Sequence, residues 1–152
     1  MPLHDVSAFA MGDPLTGLAA GGTVFVQTPL RDPAEIWHSV PADARARMLA
    51  RNIRLTALDT AALAAEFAPR PDLVVRMQGV AQVGVFLRVS PFAARAGLDR
   101  AALLEAVHEL LPRFFGKRGG SVVDANFGVI QRAYDELIDV TASVGLEPVG
   151  AA

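Results

Sequence analysis

Two short runs of strand character set the limits on this fold: Thr23-Val24-Phe25-Val26-Gln27-Thr28 and Ile53-Arg54-Leu55-Thr56-Ala57-Leu58. The first lies between Gly21-Gly22 and Pro29 and is apolar without alternation, which predicts a strand buried on both faces. Helical patterns fill the spaces between and after the runs. Strands separated by helices imply parallel crossovers and an α/β layer. Two parallel strands alone make a poor sheet, because open edges leave backbone donors and acceptors unpaired. Either the weakly patterned N-terminal segment adds strands, or another chain does. The second account is the expected one. The chain reads as the C-terminal part of an α/β domain whose opening strands are missing.

The helix signals are local. Asp32-Pro33-Ala34-Glu35 combines an Asp N-cap, Pro at the first helical position and an acid at the third, and predicts a helix to about Val40. Pro41 opens another, through Arg45 and Met48 to about Arg51. Asp59 and Thr60 cap a short helix over Ala61 to Phe67, and Ala68-Pro69-Arg70-Pro71 is the clearest break. Asp72 is the expected cap of a helix from Leu73 to about Val89. That helix is apolar almost all round and is expected to be enclosed on every face, partly by another chain, with Gly79, Ala81 and Gly84 at the close contacts. Ser90-Pro91 and Gly97 mark a connection. Asp99 caps a further helix with Leu103, Val107, Leu110 and Phe114 on one face, which Pro112 should kink or end early. The last helix, about Val122 to Val140, carries Val123, Phe127, Ile130, Tyr134 and Leu137.

A length of 152 residues suits one domain, 1–152, and 52% apolar against 20% charged residues permits a packed core. Lys plus Arg is 14 and Asp plus Glu is 16, a formal charge of −2. That balance gives no field to hold a phosphate backbone and counts against nucleic acid as a partner. With no cysteine, the chain cannot build a disulfide scaffold, a Cys-ligated zinc or iron–sulfur site, or a cysteine nucleophile. The most apolar stretch, Leu73 to Val89, is interrupted by Arg76, Gln78, Gln82 and Arg88, too many polar groups for a lipid-facing span. Met1 to Asp5 has neither a basic nor an apolar targeting region. No membrane and a cytoplasmic location are expected.

Motifs of self-contained chemistry are missing. Gly17-Leu18-Ala19-Ala20-Gly21-Gly22 precedes a strand instead of following one, so it reads as a turn and not as a dinucleotide loop. His4, His38 and His108 lack metal-ligand spacing, and Ser39, Ser90 and Ser121 sit in no nucleophile elbow. Three polar spots remain. Gln27-Thr28 stands at the carboxyl end of the first strand, where ligands meet open α/β sheets. Gln78 lies inside the most apolar helix, and Asn126 inside the last helix beside Phe127. The bland reading for each is structural hydrogen bonding.

The ordered set of segments resembles the 2-oxoacid:ferredoxin oxidoreductase family, in its gamma subunit or domain III of the pyruvate:ferredoxin type. The matching stretches are Gly21-Gly22-Thr23-Val24-Phe25-Val26, Glu35-Ile36-Trp37 with Val40-Pro41, and Asn52-Ile53-Arg54-Leu55 with Leu58-Asp59. Met77-Gln78 ahead of Phe86, then Phe115-Gly116-Lys117-Arg118-Gly119-Gly120-Ser121-Val122-Val123 with Asn126, complete the series. The resemblance covers about Leu15 to Val140 and lacks the Gly-rich strand–turn–helix with which such domains begin.

The resemblance implies an α/β fold with a partial Rossmann-like parallel sheet and a C-terminal three-helix segment. It implies a subunit or split part of an enzyme that oxidatively decarboxylates a 2-oxoacid such as pyruvate to an acyl-CoA, or runs the reverse. Thiamine diphosphate and iron–sulfur clusters are then expected on partner subunits, with none bound by this chain alone. Ferredoxin is an indirect partner, and coenzyme A a co-substrate whose site this chain helps to form. Gln27, Thr28, Gln78 and Asn126 are the candidate residues near coenzyme A or a subunit interface; no catalytic or metal-binding residue is expected, and no chemistry on this chain alone. The alternative is a non-catalytic interaction, assembly or regulatory domain of the same descent, self-associating through its open strand edges.

Overall fold

The computed structural model describes residues 2–3, 6–9, 15, 17–115 and 119–145. Its elements run β1 (Pro2–Leu3), β2 (Thr23–Gln27), α1 (Pro33–Ser39), α2 (Ala42–Ala50), β3 (Arg54–Leu58) and α3 (Thr60–Phe67). There follow α4 (Val74–Val89), α5 (Phe92–Arg95), α6 (Arg100–Phe115), α7 (Gly120–Glu136), β4 (Ile138–Asp139) and α8 (Val140–Ser143). These fall into two compact units. One comprises the described residues of Met1–Asp59 and Leu137–Ala152, the other Thr60–Glu136.

The first unit is built on a sheet of order β1-β2-β3-β4. β2 and β3 are parallel, with Thr23 opposite Arg54 and Gln27 opposite Leu58. β1 joins β2 in parallel, Pro2 opposite Phe25, and β4 closes the other side antiparallel, Asp139 opposite Thr56. The fold is thus α/β, a partial Rossmann-like sheet that is parallel from β1 to β3 and made mixed by the antiparallel β4. The preference for strands from another chain is corrected in part: this chain supplies β1 and β4, each of two residues. Two residues are too few to show a period, which is why the pattern missed them. Pro2, lacking an N–H, suits an edge strand.

Local chemistry explains the helices of this unit. The Asp32 carboxylate accepts the Ala34 N–H at 3.3 Å, Pro33 sets the first turn, and α1 buries Ile36 and Trp37. The helix stops at Val40, held extended ahead of Pro41. At the far end of α2 the Ile53 N–H donates to the Met48 carbonyl at 2.8 Å and the Asn52 N–H to that of Leu49 at 3.3 Å. Those two bonds form a Schellman stop, with Asn52 at φ 56° in the place glycine usually takes. Val24, Val26, Ile36, Met48, Leu55 and Val140 are wholly buried in the core. Each such side chain contributes about 1.5–3 kcal/mol on leaving water.

The second unit is helical. α7 buries Val123, Asn126, Val129, Ile130 and Ala133, a stripe shifted from the expected one, since only Val123 and Ile130 are shared. Gly84 of α4 lies against its backbone: a Cβ there would stand 2.3 Å from the Ile130 carbonyl oxygen and 2.9 Å from the Ala133 Cβ. Arg100 holds Asp135 through two bonds of 2.7 and 2.6 Å, which raises the guanidinium and keeps the carboxyl below its usual range. Arg132 joins Glu66 and Glu136 and lies over the Phe67 ring.

Three expectations fail here. Asp72 does not cap α4; it pairs with Arg70 at 2.9 Å, and the N-cap position falls to Leu73 with no side-chain bond. α4 buries Gly84 against α7 and leaves open the face where cover by another chain is expected: Val75 is 79% exposed, Phe86 61% and Val83 44%, and a Cβ on Gly79 would meet nothing within 4 Å. α6 runs through Pro112 to Phe115 and buries Leu103, Leu104 and Leu111 while exposing Leu110. The last helix stops at Glu136, because Ile138–Asp139 pairs with β3 and the Asp139 carboxylate accepts the Ala142 N–H to start α8. His4, the stretch Gly116-Lys117-Arg118 and the surroundings of Phe114 lie outside the described residues.

Candidate functional site

Parallel strands deliver their last residues to one end of the sheet, and that end is where α/β domains meet ligands. Here β2 and β3 bring Gln27 beside Asp59. The Gln27 Nε2 donates to the Asp59 Oδ1 at 2.9 Å, both side chains being half-buried. Thr28 follows, 4% exposed; its N–H donates to the Leu58 carbonyl at 3.3 Å and its Oγ1 accepts the Leu30 N–H at 3.2 Å. An amide, a carboxylate and a hydroxyl are thereby fixed on two adjacent strand ends. This arrangement orients polar groups for recognition and carries no nucleophile–base pair.

Gln78 and Asn126 lie in the other unit. Asn126 is 4% exposed, and its Nδ2 donates to the Val122 carbonyl at 2.7 Å, one turn back on α7. It borders a hollow of about 80 Å³ with Pro69, Leu73, Arg76, Met77 and Val122. That volume is well under the roughly 300 Å³ of the smaller ligand pockets. Gln78 is half-buried on α4, one residue beyond Met77, and does not line the hollow. The structure therefore joins Gln27 with Thr28 and Asp59, and Asn126 with Met77.

The sequence reading missed two residues. Asp59 is read as a helix cap and within the resemblance; its bond to Gln27, whose register partner is Leu58, is set by the pairing of the two strands and leaves no local signal in the sequence. Asn52 was read only within the resemblance, although Asn after a helical run followed by a strand is a recognised stop. Its Oδ1 is buried with no hydrogen-bond partner among the described residues. His108 is exposed and meets the Phe127 ring edge-on at 4.7 Å, so it serves as a surface helix residue. Among the described residues no three of His, Asp or Glu gather as metal ligands, and no helix is long and apolar enough to cross a membrane.

Comparison with known proteins places these elements. The pyruvate-flavodoxin oxidoreductase of Rhodospirillum rubrum is 22% identical to this chain over 139 residues. The aligned stretch is 91% of this chain and 11% of that protein, so the chain spans about a ninth of its relative's length. Residues 2–136 match the family described as Pyruvate ferredoxin/flavodoxin oxidoreductase, a stretch holding both β2–β3 and the whole helical unit. On that match, the chain belongs to the pyruvate ferredoxin/flavodoxin oxidoreductase family.

Proposed function

We propose that this chain is a gamma-type subunit, or a split part of one, of a 2-oxoacid oxidoreductase that converts an acid such as pyruvate to its acyl-CoA or runs the reverse. The family match over residues 2–136 is the observation that carries this reading. The chain has no cysteine, so its residues do not fit an iron–sulfur cluster, and clusters belong on partner chains. Thiamine diphosphate is assigned to partner chains too, as the family resemblance implies. What this chain supplies is position. Gln27, Thr28 and Asp59 would border the coenzyme A region, where amide and hydroxyl groups suit a chain of amides; Gln78 and Asn126 would stand nearer a subunit surface. In this reading 1–152 acts as one domain in the cytoplasm.

Deleting the chain from an assembled enzyme tests the proposal. An oxidoreductase that still assembles but loses coenzyme A-dependent turnover supports it; unchanged turnover refutes it. Gln27→Leu in the assembled enzyme should raise the KM for coenzyme A with little change in the KM for the 2-oxoacid. A second reading, a non-catalytic assembly or regulatory domain, draws on one observation: the side chains of Gln27, Thr28 and Asn126 each make an internal hydrogen bond. Under that reading Gln27→Leu leaves both KM values alone.

A further inference from the structure

One face of α4 is apolar and open. At 100° per residue, Val75, Phe86, Gly79 and Val83 fall within about 80° of one another. They lie opposite the side that buries Met77, Ala81 and Gly84. Val83 also forms the wall of a cavity of about 340 Å³ with Val80, Leu87, Val107, Leu110 and Ile130. Its lining is entirely apolar, and Leu110 at its mouth is 48% exposed. Stripe and cavity thus form one continuous surface, and the bare Gly79 in its centre lets another backbone approach closely.

Charge narrows the occupant. α4 contains no acidic residue; its charges are Arg76 and Arg88, and Arg88 is engaged with the Tyr134 carbonyl and ring. Arg76 is exposed beside the open face and is complemented by an acidic group on whatever docks there. The cavity offers nothing to a charged small molecule, since its lining lacks convergent polar groups. In the Rhodospirillum rubrum relative the matching stretch is 11% of one polypeptide, so there it is covalently part of a far larger protein.

We propose that the Val75–Phe86 face of α4, with the adjoining cavity, docks the polypeptide that carries the rest of the oxidoreductase. The docking segment has an apolar centre that places a bulky side chain in the cavity, and an acidic flank toward Arg76. This rests on the reading of the chain as an oxidoreductase subunit. The test uses the full-length chain co-expressed with the thiamine- and iron–sulfur-bearing chains of its own enzyme, and reads complex formation by size-exclusion chromatography with iron content. Val83→Glu with Phe86→Glu should weaken the complex at least tenfold while circular dichroism stays unchanged. Val75→Glu, at a position 79% exposed, gives a second probe that cannot disturb the interior. Ala101→Glu, exposed on α6, should leave assembly as it was. Assembly of the glutamate variants at wild-type affinity overturns the docking face and leaves the subunit reading standing. A wild-type chain that never joins cluster-bearing partners overturns both. A wild-type dimer of this chain alone, broken by Val83→Glu, overturns the assigned occupant in favour of a second copy.

Discussion

Gly84→Ala and Gly79→Ala make the same chemical change on the same helix, and the structure assigns them opposite signs. A Cβ at Gly84 would lie 2.3 Å from the Ile130 carbonyl oxygen, 2.9 Å from the Ala133 Cβ and 3.1 Å from the Tyr134 nitrogen. Ordinary contact begins near 3.4 Å, so α4 and α7 must separate by roughly 1 Å at a backbone atom that no rotamer change can move. Overpacking of this kind costs about 1–3 kcal/mol, against about 1 kcal/mol gained from alanine's better helix propensity. Because the obstacle is backbone, the cost belongs in the upper part of that range, and Gly84→Ala should destabilise by about 1–2 kcal/mol. Gly79 meets nothing within 4 Å, so Gly79→Ala keeps only the propensity term and should stabilise by about 0.5–1 kcal/mol. With a urea m-value of about 2 kcal/mol/M, the midpoint falls by about 0.5–1 M for the first variant and rises for the second. Far-ultraviolet circular dichroism must report the transition, since the single tryptophan, Trp37, sits in the other unit. A Gly84→Ala protein as stable as the wild type would refute the close contact and the packing argument built on it.

Further outcomes follow from single contacts. Asp139 bonds Arg54 at 2.9 Å, accepts the Thr141 hydroxyl at 3.3 Å and caps α8. Asp139→Ala should therefore cost about 0.5–2 kcal/mol through the cap and speed hydrogen exchange at 138–144 while the helical unit keeps its protection; equal exchange everywhere would refute it. Asn52→Gly removes a buried acceptor without a described partner and suits φ 56°, so the thermal midpoint should rise, with a gain of about 1 kcal/mol; a fall would show that the amide is satisfied. Asp135 is held below the usual carboxylate range by Arg100, so its stabilisation is complete above the unfolded value of about 3.9 and is lost as pH falls through the folded one. The stability gap between wild type and Asp135→Asn should accordingly shrink below about pH 4, and a gap independent of pH would remove the ion pair from the account.

What the sequence determined alone was whatever neighbours along the chain decide. Asp32-Pro33 started α1 because cap and first turn are contiguous, β2 and β3 announced themselves by short apolar runs, and Asp99 capped α6 as read, its carboxylate taking the Ala102 N–H at 2.8 Å. The ordered segments also carried the family, which needs no geometry to be recognised. Tertiary structure decided the rest. β1 and β4 exist because β2 and β3 had open edges to fill, and two residues show no period of their own. The buried face of α6 turned from Leu110 to Leu104 and Leu111 because helical spacing allows several stripes and only the neighbouring helices choose among them. Gln27 found its partner Asp59 at a separation of 32 residues, a pairing fixed by strand register and invisible to local pattern. Gly79 and Gly84 look alike in the sequence, but one is open and the other lies against the backbone of α7, because that distinction belongs to the packing of two helices and not to either residue.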